Sequence, residues 1–159
     1  MVDIALAYGR QVENLLDQGG SLDSGVLEHI LMNANLEGVE SSYTYIVDSE
    51  GNMLYHPDKD KIGKSVENVI VKSYIQDLKS GIKHDTYVVE YDYNGSIKYA
   101  ACYTDENGRF ILVVSADDDD VLRDSASLIV RVTAISLLIG MAAIVVVFIF
   151  IRKIVAPLS

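Results

Sequence analysis

Apolar residues recur every three to four positions at the start of the chain. Ile4, Tyr8, Val12 and Leu15 share one face of a helix over residues 2–17, and Gly19-Gly20 breaks it. A second helical pattern runs from about Ser24 to Leu36, with Val26, Leu27, Ile30, Leu31 and Ala34 together. The period then falls to two. "SYTYIVD" (42–48) reads as a strand, "SEGN" as a turn, and "MLYH" (53–56) as the returning strand, ended by Pro57. "VENVIVKSYIQDLKSG" (66–81) returns to helical spacing and closes at Gly81. Three strands follow, at 86–93, 96–104 and 109–116, joined by Asn94-Gly95 and by "DENG". The pattern predicts an α+β domain: long N-terminal helices packed on a five-stranded antiparallel sheet.

The last apolar run has another character. From Val132 to Ile151, twenty residues pass without a charge, enough helix to cross the hydrocarbon core of a bilayer. Charge sets the expected orientation. Residues 1–127 hold ten basic and 23 acidic side chains, a net of −13, while Arg152-Lys153 directly follows the span. The positive-inside rule then puts 1–127 outside the cell membrane and the C-terminus in the cytoplasm. So acidic a domain is a poor partner for nucleic acid. Met1–Gly20 holds neither a signal peptide nor a first span, so an exported domain of this kind is expected to be part of a longer protein. The division expected is a domain over 1–127, a membrane helix with flanks over 128–153, and the start of a linker over 154–159.

The Asn-Gly turn fixes a register in which Tyr93, Tyr91, Val89 and Tyr87 stand opposite Ser96, Lys98, Ala100 and Cys102. Carried through "DENG", it sets Ile111, Val113 and Ser115 beside Cys102, Ala100 and Lys98. One sheet face is then bulky, with Tyr99, Ala101, Tyr103, Phe110, Leu112 and Val114, and suits the N-terminal helices. The other combines small residues with the hydroxyls of Tyr91 and Ser115 and the cation of Lys98, a composition that suits a small-molecule cavity. The alternative for Lys98 is a solvated sheet edge. Tyr45 and Tyr74 are candidate donors to a ligand or ordinary half-buried aromatics. His56 lines the cavity or senses pH, or simply packs.

Other chemistries find less. Gly63-Lys64-Ser65 ends as a phosphate-binding loop does, but Asp58 stands where that pattern needs its first glycine, and Asp58 and Asp60 would repel phosphate. One cysteine and three scattered histidines show no zinc-ligand spacing, and Cys102 reads as a small core residue. Asp117–Asp120 lacks the glycine and terminal glutamate of a calcium loop and reads as a solvated linker. No nucleophile and acid-base set is recognisable, so neither an enzyme nor a cofactor is expected.

"YTYIVDSEGNMLYHPDKDKIGKS" resembles the opening strands of an extracellular Cache sensor domain: strand, Asp, Gly turn, a second strand ending in His-Pro, and a Gly-Lys connector. "GSIKYAACYTDENGRFILVVSADDDDVL" is similar to the closing strands of single Cache modules, and the match covers residues 1–127. After the span, "IVAPLS" resembles the first residues of a HAMP linker, with Pro157 starting a helix. The resemblance implies a PAS-like fold in a receptor, such as a methyl-accepting chemotaxis protein. Such a receptor binds a small molecule outside, pairs as a homodimer and signals to cytoplasmic proteins. It places "YHPDKDKIGKS" as the connector into the helix over the ligand cavity, with Ser65 capping that helix. The amino-acid-binding version of the pattern has an Arg followed by Trp-Tyr there. This chain has no Arg between Arg10 and Arg109 and no Trp, and Ser73-Tyr74 is the nearest match. A smaller carboxylate held by Lys98 or Lys64 with tyrosine hydroxyls is the alternative ligand. A histidine kinase, a cyclase or a non-signalling membrane-anchored binding module would account for the same residues.

Overall fold

The computed structural model describes residues 1–155, without the side chains of 124–128, 154 and 155. Helix α1 (Val2–Asp17) forms where the first amphipathic pattern predicts it, and α2 (Ser24–Leu31) is capped by the Asp23 carboxylate, which accepts from Gly25 N. α2 stops short of the expected Leu36. Asn33 and Asn35 are weak helix formers, and the Ala34 carbonyl accepts a hydrogen bond from the Thr44 hydroxyl instead of continuing the helix.

Strands β1 (Tyr43–Asp48) and β2 (Met53–Tyr55) turn on one side chain. The Asp48 carboxylate accepts from Glu50 N (2.9 Å), Asn52 N (2.8 Å) and Asn52 Nδ2 (2.9 Å), with Gly51 at φ +91°. Burial alone would raise that carboxyl, but the bonds from Asn52 and Glu50 outweigh it and hold it below its ordinary value. The connector then runs back along β2: Gly63 N donates to Met53 O, Met53 N to Lys64 O, and Val66 N to Gly51 O, each at 2.8 Å. Gly63, at φ +80°, makes the bend. With backbone committed through Val66, α3 (Val69–Lys79) starts three residues later than expected. Its cap is Asn68, whose Oδ1 accepts from Ile70 N and Val71 N, and not Ser65, which bridges to Asn52.

Strands β3 (Val88–Tyr93), β4 (Ser96–Thr104) and β5 (Phe110–Asp117) complete an antiparallel sheet of order β2-β1-β5-β4-β3. Asn94 (φ 55°) and Gly95 (φ 83°) make the two-residue turn, and Tyr93, Tyr91 and Val89 face Ser96, Lys98 and Ala100 as predicted. Tyr87 lies outside the ladder, which begins at Val88. The β4–β5 register differs from expectation by two. Cys102 pairs with Val113, Ala100 with Ser115 and Lys98 with Asp117. Asp105 is the cause: its carboxylate accepts from Arg109 N, Nε and Nη2 at 2.8–2.9 Å and closes a wider loop. A slip of two keeps every side chain on its face.

The two faces therefore carry the cores the alternation predicts. Phe110, Leu112, Val114 and Ala101 pack under α1 and α2 with Ala5, Val12 and Leu27. Tyr45, Val47, Ile111, Val113, Ala100 and Cys102 pack under α3 with Val71, Tyr74 and Ile75. Burial pushes the Cys102 thiol up to about 12, as befits a core residue.

Helix α4 (Asp118–Phe150) begins directly after β5, so Asp118–Asp120 form its first turn and are not a linker. The chain divides into two compact units, the first being Met1–Val121. In the second, Ile129–Lys153 is long and apolar enough to cross a membrane, with a mean hydropathy of 3.0 and none of it buried in protein. Thr133 and Ser136 donate their hydroxyls to the carbonyls of Ile129 and Val132, which removes free polar groups from that surface. Pro157, expected to start the next element, lies outside the described residues.

Candidate functional site

The tyrosines of β1 and β3 and the connector after β2 enclose a cleft of about 230 Å³. Tyr43, Tyr45, Tyr91 and Tyr93 form its walls because the period of two puts all four on the α3 face of the sheet. His56, Asn68, Lys61 and Lys64 line it from the connector, with Asp58, Asp60 and Glu67. The volume lies below the ~300–1,000 Å³ usual for drug-sized ligands, so a small metabolite is the size that fits.

Hydrogen-bond directions decide what the cleft presents. Asn68, its Oδ1 spent on capping α3, donates Nδ2 to the Tyr45 hydroxyl at 3.2 Å. Among the described residues Tyr45 is therefore recorded only as an acceptor, and its own O–H is available to the cleft. Burial holds that hydroxyl well above the ordinary tyrosine value, so it stays protonated. His56 Nδ1 accepts from Asp58 N at 2.9 Å, which puts the neutral ring's proton on Nε2. The ring, 5.2 Å from Tyr43 and 5.7 Å from Tyr45, titrates below its ordinary value through burial and the Lys61 charge. Tyr91 differs. Ser115 donates its single proton to Tyr99 O (3.2 Å), so in the 3.0 Å contact with Ser115 Oγ it is Tyr91 that donates. Burial pushes the Tyr91 hydroxyl up to about 12. The Tyr93 hydroxyl donates to Glu67 at 2.6 Å. Among the described residues, Tyr45 O–H and His56 Nε2–H are neutral donors left for a ligand oxygen, with the ammonium groups of Lys61 and Lys64 nearby.

Of the residues singled out from sequence, Tyr45, His56 and Tyr91 line the cleft. Ser115 sits behind Tyr91, fully buried. Lys98 forms an ion pair with Asp117 and lies 5.8 Å from the ring centroids of Tyr43 and Tyr93. Tyr74 is elsewhere, its ring stacked on His84 at 4.5 Å, and His84 is 2.7 Å from Asp77. Sequence reasoning missed Tyr43, Tyr93 and Asn68 as cleft residues. The tyrosines share the parity of Tyr45 and Tyr91, and an Asn before an apolar helical run is a cap signal, so both signals were present.

No protein-family model and no curated protein matches the chain. Solved structures do. The extracellular domain of a proposed histidine kinase, mmHK1S-Z3, is similar at 24% identity and a TM-score of 0.48, over 64% of this chain and 40% of its own. The ligand-binding domain of the Pseudomonas aeruginosa PAO1 amino-acid chemoreceptor PctB, solved with L-Arg, is similar at 20% identity and a TM-score of 0.43, over 65% and 38%. The periplasmic sensory domain of the Campylobacter jejuni chemoreceptor Tlp1 is similar at 18% identity and a TM-score of 0.47, over 62% and 36%. The chain thus spans well under half the length of these three. The first is an extracellular domain and the third a periplasmic sensory domain.

Proposed function

We propose that the chain is the extracytoplasmic sensor region and membrane anchor of a transmembrane receptor whose cleft binds a short carboxylate. Residues 1–127 lie outside the membrane and the C-terminus lies in the cytoplasm, where a HAMP-like segment passes the signal on. What carries the reading is the pair of neutral donors, Tyr45 O–H and His56 Nε2–H, set in a small tyrosine-walled cleft. A carboxylate oxygen accepts from both, and the ammonium groups of Lys61 and Lys64 stand among the carboxylates of Asp58, Asp60 and Glu67 that also line the cleft. Binding that favours one arrangement of the sheet reaches the membrane helix by the shortest covalent path, since β5 ends at Asp117 and α4 starts at Asp118.

The test is calorimetry on the full chain in lipid nanodiscs with acetate, lactate, pyruvate and succinate. One of these is expected to bind, and Tyr45→Phe, which removes the donor O–H together with the oxygen that accepts from Asn68 Nδ2, should weaken it about tenfold, or ~1.4 kcal/mol. Absence of heat with all four, or equal affinity in Tyr45→Phe, overturns the reading.

A further inference from the structure

Lys98 is the residue whose position departs most from its expected role. Its side chain is only 15% exposed, and a nearly buried ammonium needs compensating partners. Those recorded are the Asp117 carboxylate and the faces of Tyr43 and Tyr93, each 5.8 Å from Nζ. The two rings are walls of the cleft, and Asp117 is the last residue before α4. Lys98 therefore touches the cleft wall on one side and the helix start on the other.

A second tie ends at the same place. Asp117 N donates to Ser41 Oγ at 3.1 Å, and Ser41 N donates to the Asp120 carboxylate at 3.0 Å. This reciprocal pair does for α4 what a capping box does within one segment, but the serine comes from the segment leading into β1. Ser41 stands two residues before Tyr43, so the backbone that carries a cleft wall also holds the first turn of the helix.

We propose that Lys98 and Ser41 clamp the β5–α4 junction and couple it to the tyrosine wall, so that a ligand displacing Tyr43 or Tyr93 loosens the first turn of α4. Lys98 is thus a positioning residue and makes no ligand contact. Moving either ring removes part of the ammonium's compensation and changes its hold on Asp117, whose own N–H and neighbouring turn are fixed through Ser41. The proposal rests on the cleft being the ligand site.

Hydrogen exchange in the α4 first turn, measured on the full chain in nanodiscs without added ligand, tests it. Lys98→Met, Tyr43→Leu and Tyr93→Leu should each speed exchange there roughly three- to tenfold. Tyr43→Leu combined with Lys98→Met should be no faster than Lys98→Met alone, because both act through one contact. Met53→Leu, at a position lining the same cleft away from the two ring faces that Lys98 meets, should leave the rate unchanged. Purely additive effects, a parental rate in both Tyr43→Leu and Tyr93→Leu, or equal acceleration by Met53→Leu overturns the clamp. Since no ligand is added, a cleft that binds none of the four carboxylates would leave this result standing, and an uncoupled junction would leave the calorimetry standing.

Discussion

His56 shows how one side chain is assigned a state by its neighbours. The Asp58 N–H fixes Nδ1 as an acceptor, Tyr43 and Tyr45 flank the ring, and Lys61 adds positive charge, so the protonated form is disfavoured. The folded-state pKa is lowered, so the unfolded chain binds the proton first. The contribution of neutral His56 to stability is then fully present above the ordinary histidine value of 6.5 and is lost as pH falls through the lower folded value. Melting temperatures should show it. As pH falls below about 6.5 the native protein should lose stability more steeply than His56→Asn, whose amide oxygen can still accept from Asp58 N. Parallel curves would mean that the ring titrates freely.

At the scale of elements, the contact of α1 with the sheet depends on one missing methyl group. A Cβ on Gly9 would lie 2.3 Å from Cδ1 of Tyr103, and that ring is held by its hydroxyl, which donates to the Glu13 carboxylate. Glu13 also accepts from Glu106 N at 2.9 Å, tying the helix to the β4–β5 loop. Alanine is the better helix former by about 1 kcal/mol, while overpacking costs about 1–3 kcal/mol before any loss of the Tyr103–Glu13 bond. Packing should win. Gly9→Ala is expected to lower stability by about 2 kcal/mol, read as a lower urea midpoint at unchanged slope. A variant as stable as the parent would show that α1 can ride away from the sheet without loss.

For the whole molecule, the decisive asymmetry is between an acidic unit and an apolar helix ending in Arg152 and Lys153. The orientation proposed from it can be measured in cells. In spheroplasts a membrane-impermeant maleimide should label Lys59→Cys, an exposed connector position, and should reach Ser159→Cys only after permeabilisation. The native Cys102 should stay silent, being buried with its thiol pushed up to about 12. The reverse labelling pattern would refute an external sensor domain.

Much of this was legible along the chain because it depends on neighbours in sequence. The period of two in β1, β4 and β5, the Asn94-Gly95 turn and the uncharged run at 132–151 are local signals, and each formed the element it predicts. Face parity survived even a register error, since a slip of two restores it. Tertiary structure decided what depends on distant partners. Thr44, by taking the Ala34 carbonyl, helps end α2 early; Val66, bonded to Gly51, delays α3; Asp105, holding Arg109, moves β5 by two residues. That last shift carried Lys98 away from Ser115 and onto Asp117, the residue before α4. Sequence periodicity determined which side chains share a face. Only the competition for hydrogen-bond partners across the fold decided which of them remain free to meet a ligand.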